Sequence, residues 1–287
     1  MKRLLVTITL FVSPVIAQCD CNEDFILDVL DIVIAVDCVI QYPYPDGVLC
    51  ACQDCSPNPD GITEILDIVI IVNCIINGDC WNEESVTDID GNIYETVQIG
   101  NQIWMAENLR VTHYQNGDEI QTGLSNSEWT NITIGAYSEY DTDPSNADIY
   151  GNLYNWYAID DSRGIAPEEW HVATDEEWLE LTEYLGGFSF AGGSMKAVGT
   201  IENDQGWWHE PNTGANNESG FAAIPGGYRS EYGYYYHKGY YSAFWSSTEG
   251  GSYWAWHRDL SYNSTIVERS GYDKHMGSSI RCVKDAD

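Results

Sequence analysis

Apolar positions fall into three regimes along the chain. Leu4 to Val12 form one short apolar run behind Lys2 and Arg3. Further on, Leu30 to Ile40 and Leu66 to Ile76 are two longer apolar stretches that share the string Leu-Asp-Ile-Val-Ile, and each reads as a helix. From about Val86 the pattern changes to short alternating segments divided by Gly-rich turns. There, Asp90-Gly91-Asn92, followed by Ile93, Val97 and Ile99, predicts a β-hairpin, and Gly100-Asn101 predicts a second turn. Thr174-Asp-Glu-Glu177 has the spacing of a capping box, in which the Thr hydroxyl accepts from the Glu177 amide and the Glu carboxylate reaches back. A helix through Trp178, Leu181 and Leu185 follows and stops at Gly186-Gly187. A shorter helix is expected over Gly192 to Val198, and strands with aromatic loops after Gly226. The patterns predict a small α-helical domain followed by a larger α+β domain.

The first run has the form of a secretory signal. Lys2 and Arg3 supply the positive end, Pro14 breaks the apolar run, and Val15-Ile16-Ala17 offers small-residue cleavage chemistry before Gln18. The run is too short to span a bilayer, and no other stretch reaches about 18 uninterrupted apolar residues. Gln18 stands where a lipobox before Cys19 needs Gly, Ala or Ser, which argues against lipidation. Residues 1–17 are expected to be a signal peptide, 18–82 the small domain and 83–287 the large one. The expected location is extracellular, secreted or at the cell surface.

Charge narrows the partners. Twelve basic against 45 acidic residues give a net charge of −33, and Gln18 to Leu109 contains no Lys or Arg. Such a chain repels nucleic acid and anionic lipid at long range, so neither nucleic-acid binding nor membrane insertion is expected. With 44% hydrophobic and 13% aromatic residues, the chain can bury a core.

Eight of the nine cysteines (Cys19, Cys21, Cys38, Cys50, Cys52, Cys55, Cys74 and Cys80) lie in the first 80 residues. A dense, even set in an exported segment reads as disulfides that staple a domain with a small core. The Cys-x-Cys and Cys-x2-Cys spacings leave zinc as the alternative, although accompanying His ligands are absent from that segment.

The same segment contains a repeat. Asp20, Asn22, Asp24, Asp28 and Asp31 align with Ser56, Asn58, Asp60, Glu64 and Asp67, which places oxygen-bearing side chains at loop positions 1, 3, 5, 9 and 12. Ile26 and Ile62 hold position 7, which gives its backbone carbonyl in a calcium loop. The expected cofactor is therefore calcium. The pair resembles a dockerin over about residues 19 to 80. It departs from that pattern at Phe25, which replaces the turn glycine, and at Ser56, which replaces Asp. The places where a dockerin meets its cohesin hold Val29, Leu30, Ile65 and Leu66, so cohesin binding is not carried over.

The large domain carries its own ordered set of motifs. They are Thr87-Asp-Ile-Asp-Gly-Asn-Ile-Tyr94, Ile99-Gly-Asn-Gln-Ile-Trp-Met-Ala-Glu-Asn-Leu109, Gly151-Asn-Leu-Tyr-Asn-Trp-Tyr157 and Trp170-His-Val-Ala-Thr-Asp-Glu-Glu-Trp178. Pro211-Asn-Thr-Gly-Ala215, Asn217-Glu-Ser-Gly-Phe221, Pro225-Gly-Gly-Tyr-Arg229, Trp245-Ser-Ser-Thr-Glu249 and Ile280-Arg-Cys-Val-Lys284 follow. Together they resemble the Fibrobacter succinogenes major paralogous domain, which is similar to the C-type lectin fold. The resemblance implies short antiparallel strands, a few helices and long loops on one face. The family commonly places Cys-Pro before the Trp-His motif, paired with the terminal Cys. Here that place is Ala166-Pro167, which implies a buried, unpaired Cys282.

Catalytic signals are weak. Formylglycine-generating enzymes share the implied fold but use a cysteine pair, whereas this domain has one cysteine. The six histidines show no metal-ligand spacing, and neither a Gly-x-Ser-x-Gly elbow nor a P-loop occurs. His171 is expected to be a satisfied core histidine. Glu210-Pro211-Asn212 copies a tripeptide with which C-type lectins hold calcium and sugar, but the accompanying Trp-Asn-Asp is missing at Trp245-Ser-Ser. The region from Tyr232 to His275 is richer in binding chemistry, because Tyr and Trp offer stiff contact area at low entropy cost. Tyr235, Tyr240, Trp254, Trp256, His257, Arg258, Tyr262 and Tyr272 are the candidate ligand residues. The expected function is non-catalytic recognition of a glycan or surface protein. The alternative is a structural subunit that self-associates into a fibre or coat.

Overall fold

The computed structural model describes residues 85–285. The chain divides between Asn82 and Glu83, and the described residues belong to the second unit. The expected signal segment, the eight clustered cysteines and the two loops expected to hold calcium lie outside the described residues.

The domain opens with the expected hairpin, β1 (Val86–Thr87) against β2 (Ile93–Tyr94). Its turn is organised by Asp88, whose Oδ1 accepts from the amides of Asp90 and Asn92, both at 3.0 Å. Gly91 takes φ 83°, where a side chain would be strained. The Gly100-Asn101 turn joins β3 (Thr96–Ile99) to β4 (Gln102–Met105). After these come α1 (Asn126–Asn131), β5 (Tyr137–Ser138), α2 (Ser145–Tyr150), β6 (Leu153–Tyr154), α3 (Trp156–Ile159) and β7 (His171–Val172).

The capping box forms as read. Thr174 Oγ1 accepts from the Glu177 amide at 3.2 Å, and the Glu177 carboxylate accepts from the Thr174 amide at 2.7 Å. The helix it starts, α4 (Asp175–Tyr184), ends before Gly186 and Gly187, at φ 95° and 92°. The next helix, α5, is shorter than expected and covers Ala191–Met195. The remainder is β8 (Tyr228–Arg229), β9 (Tyr235–Tyr236), β10 (Tyr241–Gly251), β11 (Trp254–Ser261), β12 (Val267–Asp273) and β13 (Cys282–Asp285).

Two sheets carry the architecture. One is antiparallel in the order β3-β4-β13-β7, so the last strand lies between early ones. The other is the meander β10-β11-β12. Helices with antiparallel sheets make this an α+β domain. The core is aromatic: Trp104 and Trp178 lie 4.9 Å apart, and Phe221 and Phe244 pack on Trp178 at 5.7 and 5.4 Å. Trp104, Trp129, Trp178, Trp208 and Trp245 are all fully buried.

Buried cations tie the loops to this core. Arg281 donates to Asn108 Oδ1 and to the carbonyls of Met105, Phe221 and Ala222. Burial without a carboxylate partner lowers its guanidinium to about 9. Lys196 donates to the carbonyls of Thr213, Ser261 and Ser264 at 2.9–3.0 Å, and burial lowers its ammonium to about 8. Both groups replace hydration with several fixed acceptors, as a buried charge requires. Cys282 is buried and unpaired, in one core cluster with Ala166, and burial raises its thiol.

Candidate functional site: an aromatic groove on the meander sheet

β11 presents Trp254 and Trp256 on one face, because side chains two residues apart share a side of a strand. Their rings meet edge to face, with centroids 5.0 Å apart at 87°. Trp254 lies flat over Gly250, Gly251 and Gly271. A Cβ at any of the three would fall closer than 3.0 Å to the indole. Glycine is needed there for the ring, since a methyl at any of these places would lift it off the sheet. On this same face a cleft of about 460 Å³ opens, lined by Tyr253, Trp254, Trp256, Gly271 and Asp273.

Trp256 is capped on one ring face. The Arg269 guanidinium lies 3.3 Å from its ring centroid. Arg269 in turn forks onto Asp175, Nε to Oδ1 at 2.9 Å and Nη2 to Oδ2 at 2.7 Å. Asp175, the first residue of α4, also receives Arg258 Nη1 at 2.8 Å. Burial pushes the Asp175 carboxyl up, but hydrogen bonds from Arg269 and Arg258 outweigh it and hold the group below its ordinary value. At the groove rim, Asp273 Oδ1 accepts from the His275 amide and faces its Nδ1, at 2.9 and 2.7 Å. Tyr253 stands beside it, 70% exposed.

The candidate residues do not form one site. Tyr240 and Tyr262 flank the far end of the β10–β11 ladder, eight residues and roughly 26 Å of strand from Trp254. There Tyr240 stacks on His209 at 4.2 Å and meets Tyr262 edge-on at 5.1 Å. Tyr235 packs on Tyr140 at 5.3 Å with its hydroxyl buried. Tyr272 pairs with Ala255, on the other face of the sheet, and its ring lies 4.7 Å from that of His257.

Three expectations need correction. His257 and Arg258 are fully buried, so neither can face a ligand. Alternation turns His257 inward against Trp245, while Asp175 and Phe188 cover Arg258. His171 is not a core histidine, because its side chain is 46% exposed and pairs with Glu177 at 2.6 Å. Glycines 250, 251 and 271, with Asp273 and Arg269, were missed. The Gly-Gly just before Trp254 was the available signal.

One grouping copies hydrolase chemistry. His257 Nε2 lies 2.9 Å from Ser278 Oγ, and His257 Nδ1 lies 3.3 Å from Asp259 Oδ1. A working triad needs its serine open to a carbonyl carbon. Ser278 and His257 are both 0% exposed, so the trio is sealed inside the sheet. Asn212, of the lectin-like tripeptide, also turns inward and donates to the carbonyls of Ala197 and Gly199 at 3.0 Å.

The family model of the Fibrobacter succinogenes major domain matches residues 97–284. No curated protein and no solved structure matches the chain.

Proposed function

The chain belongs to the Fibrobacter succinogenes major domain family, and we propose that it is an exported, non-catalytic recognition protein whose Trp254 groove takes a glycan. The flat seating of Trp254 on three glycines carries this reading. A half-buried indole gains little stability from so costly a floor, since each strand glycine is worth roughly 0.5–1 kcal/mol less than alanine. A planar aromatic face beside a carboxylate is, however, what a sugar ring needs: apolar C–H faces stack on the indole, and hydroxyls donate to Asp273. A non-catalytic role is supported by the burial of Ser278 and His257.

Export rests on the Lys2 to Ala17 segment, and calcium in the small domain on the oxygen spacing of its two loops. Among the described residues, no helix is long and apolar enough to cross a membrane. A C-type lectin-like fold belongs to the same proposal, supported by the seating of the last strand beside β4. Titration with a glycan panel, followed by tryptophan fluorescence, tests the groove. Binding that Trp254→Ala abolishes supports it, and binding that survives the change sinks it.

Self-association is the second reading. Tyr232, Tyr234 and Tyr236 are 62%, 56% and 45% exposed around the β8–β9 turn, a clustering that also suits a protein contact. Concentration-dependent sedimentation that Tyr234→Ser abolishes would favour assembly. A monomer at all concentrations would remove it.

A further inference from the structure

We infer that the groove accepts uncharged, hydroxyl-rich glycans and rejects polyanionic ones, an inference that rests on the recognition reading above. The observation is where the cations have gone. Residues 85–285 contain ten Lys and Arg. Lys196, Arg229, Arg258 and Arg281 are at most 1% exposed, and Lys274 is 5% exposed. Arg229, for example, donates to the carbonyls of Gly233 and Leu124 and lies 4.2 Å from the Trp129 ring centroid.

The remaining five are engaged at the surface. Arg110 pairs with Glu107 at 2.8 Å, and Arg163 pairs with Asp161 and Asp118 at 2.8 and 3.0 Å. Lys238 donates to Asn146 Oδ1 at 3.0 Å, and Lys284 lies 3.8 Å from Glu169. Arg269 is the one cation at the groove, and it is committed to Asp175 and to the Trp256 ring. Its neighbour Lys274 is turned in, bonded to Glu249 and set over Trp156 at 4.3 Å. No Lys or Arg lines the groove to receive a sulfate or uronate.

The groove instead offers acceptors. Asp273 is 43% exposed, and its Oδ1 alone is taken by His275. A hydroxyl donates to such a carboxylate, whereas an anionic substituent would meet a like charge at the rim and a chain of −33 behind it. Folding has internalised half of the domain's cations, so the charge presented to a ligand is more one-sided than composition suggests.

The test uses the full chain and Trp254→Ala, titrated with maltoheptaose, laminarin and mannan, and separately with polygalacturonate and chondroitin sulfate, at low and high salt. At least one neutral glycan is expected to bind about tenfold or more tighter than either polyanion at low salt, with the gap narrowing as salt screens the charges. Trp254-dependent binding of a polyanion with equal or higher affinity would overturn the inference and leave the recognition reading standing. Absence of Trp254-dependent binding to any of these glycans would overturn both.

Discussion

At the residue scale, the groove depends on what is missing from three positions. Gly271 has ordinary strand geometry, so alanine there strains no backbone, yet its methyl would collide with the Trp254 indole. Gly271→Ala is therefore expected to displace the ring and weaken ligand binding about tenfold while the fold persists, with binding and near-ultraviolet circular dichroism as the readouts. Cys282 gives a second test. A thiol buried and raised in this way should resist alkylation under native conditions and react only on unfolding, and rapid native labelling would show that it is reachable. The candidate string Trp254 to Arg258 shows what residue type alone can convey. Its two tryptophans line the proposed groove, but the same string includes His257 and Arg258, which are sealed. Their covers, Ser278 behind His257 and Asp175 over Arg258, are distant in sequence, and no local pattern announces such packing.

At the element scale, local signals were the legible ones. The Asp88 turn and the Thr174 capping box follow from short-range hydrogen-bond chemistry and form as read. The insertion of β13 between β4 and β7 could not be read the same way, because pairing residues almost 180 positions apart leaves no local trace. Asp175 adds a role the capping box did not reveal: it joins the start of α4 to β11 and β12 through Arg258 and Arg269. Asp175→Ala leaves a buried guanidinium unpaired and is expected to cost about 3 kcal/mol or more at pH 7 in urea denaturation. The pH dependence has a definite sign. The folded carboxyl titrates below its unfolded value, so its contribution is present above about pH 4 and is lost as pH falls through the folded value. The gap between wild type and variant should shrink in acid. A gap that stays constant down to pH 2 would mean that the ion pair does not carry the effect.

At the scale of the whole molecule, an aromatic core, internalised cations and an acidic exterior combine in a domain with one prepared aromatic face. The motifs from Thr87 to Lys284 made the family legible before any coordinates. The division between recognition and framework was not legible, because both tasks use the same tyrosines and tryptophans. Calcium belongs to this scale too. If the loops beginning at Asp20 and Ser56 hold it, chelation should lower a melting transition of the full chain in calorimetry, and an unchanged profile would remove the metal. Recognition at the groove is tested most directly by titrating the full chain and its Gly271→Ala variant with the neutral glycan panel and measuring dissociation constants and melting temperatures together. Saturable binding by the wild type, with a variant about tenfold weaker and melting within a few degrees, is the expected result. Equal binding by the two proteins would contradict the assignment of the groove.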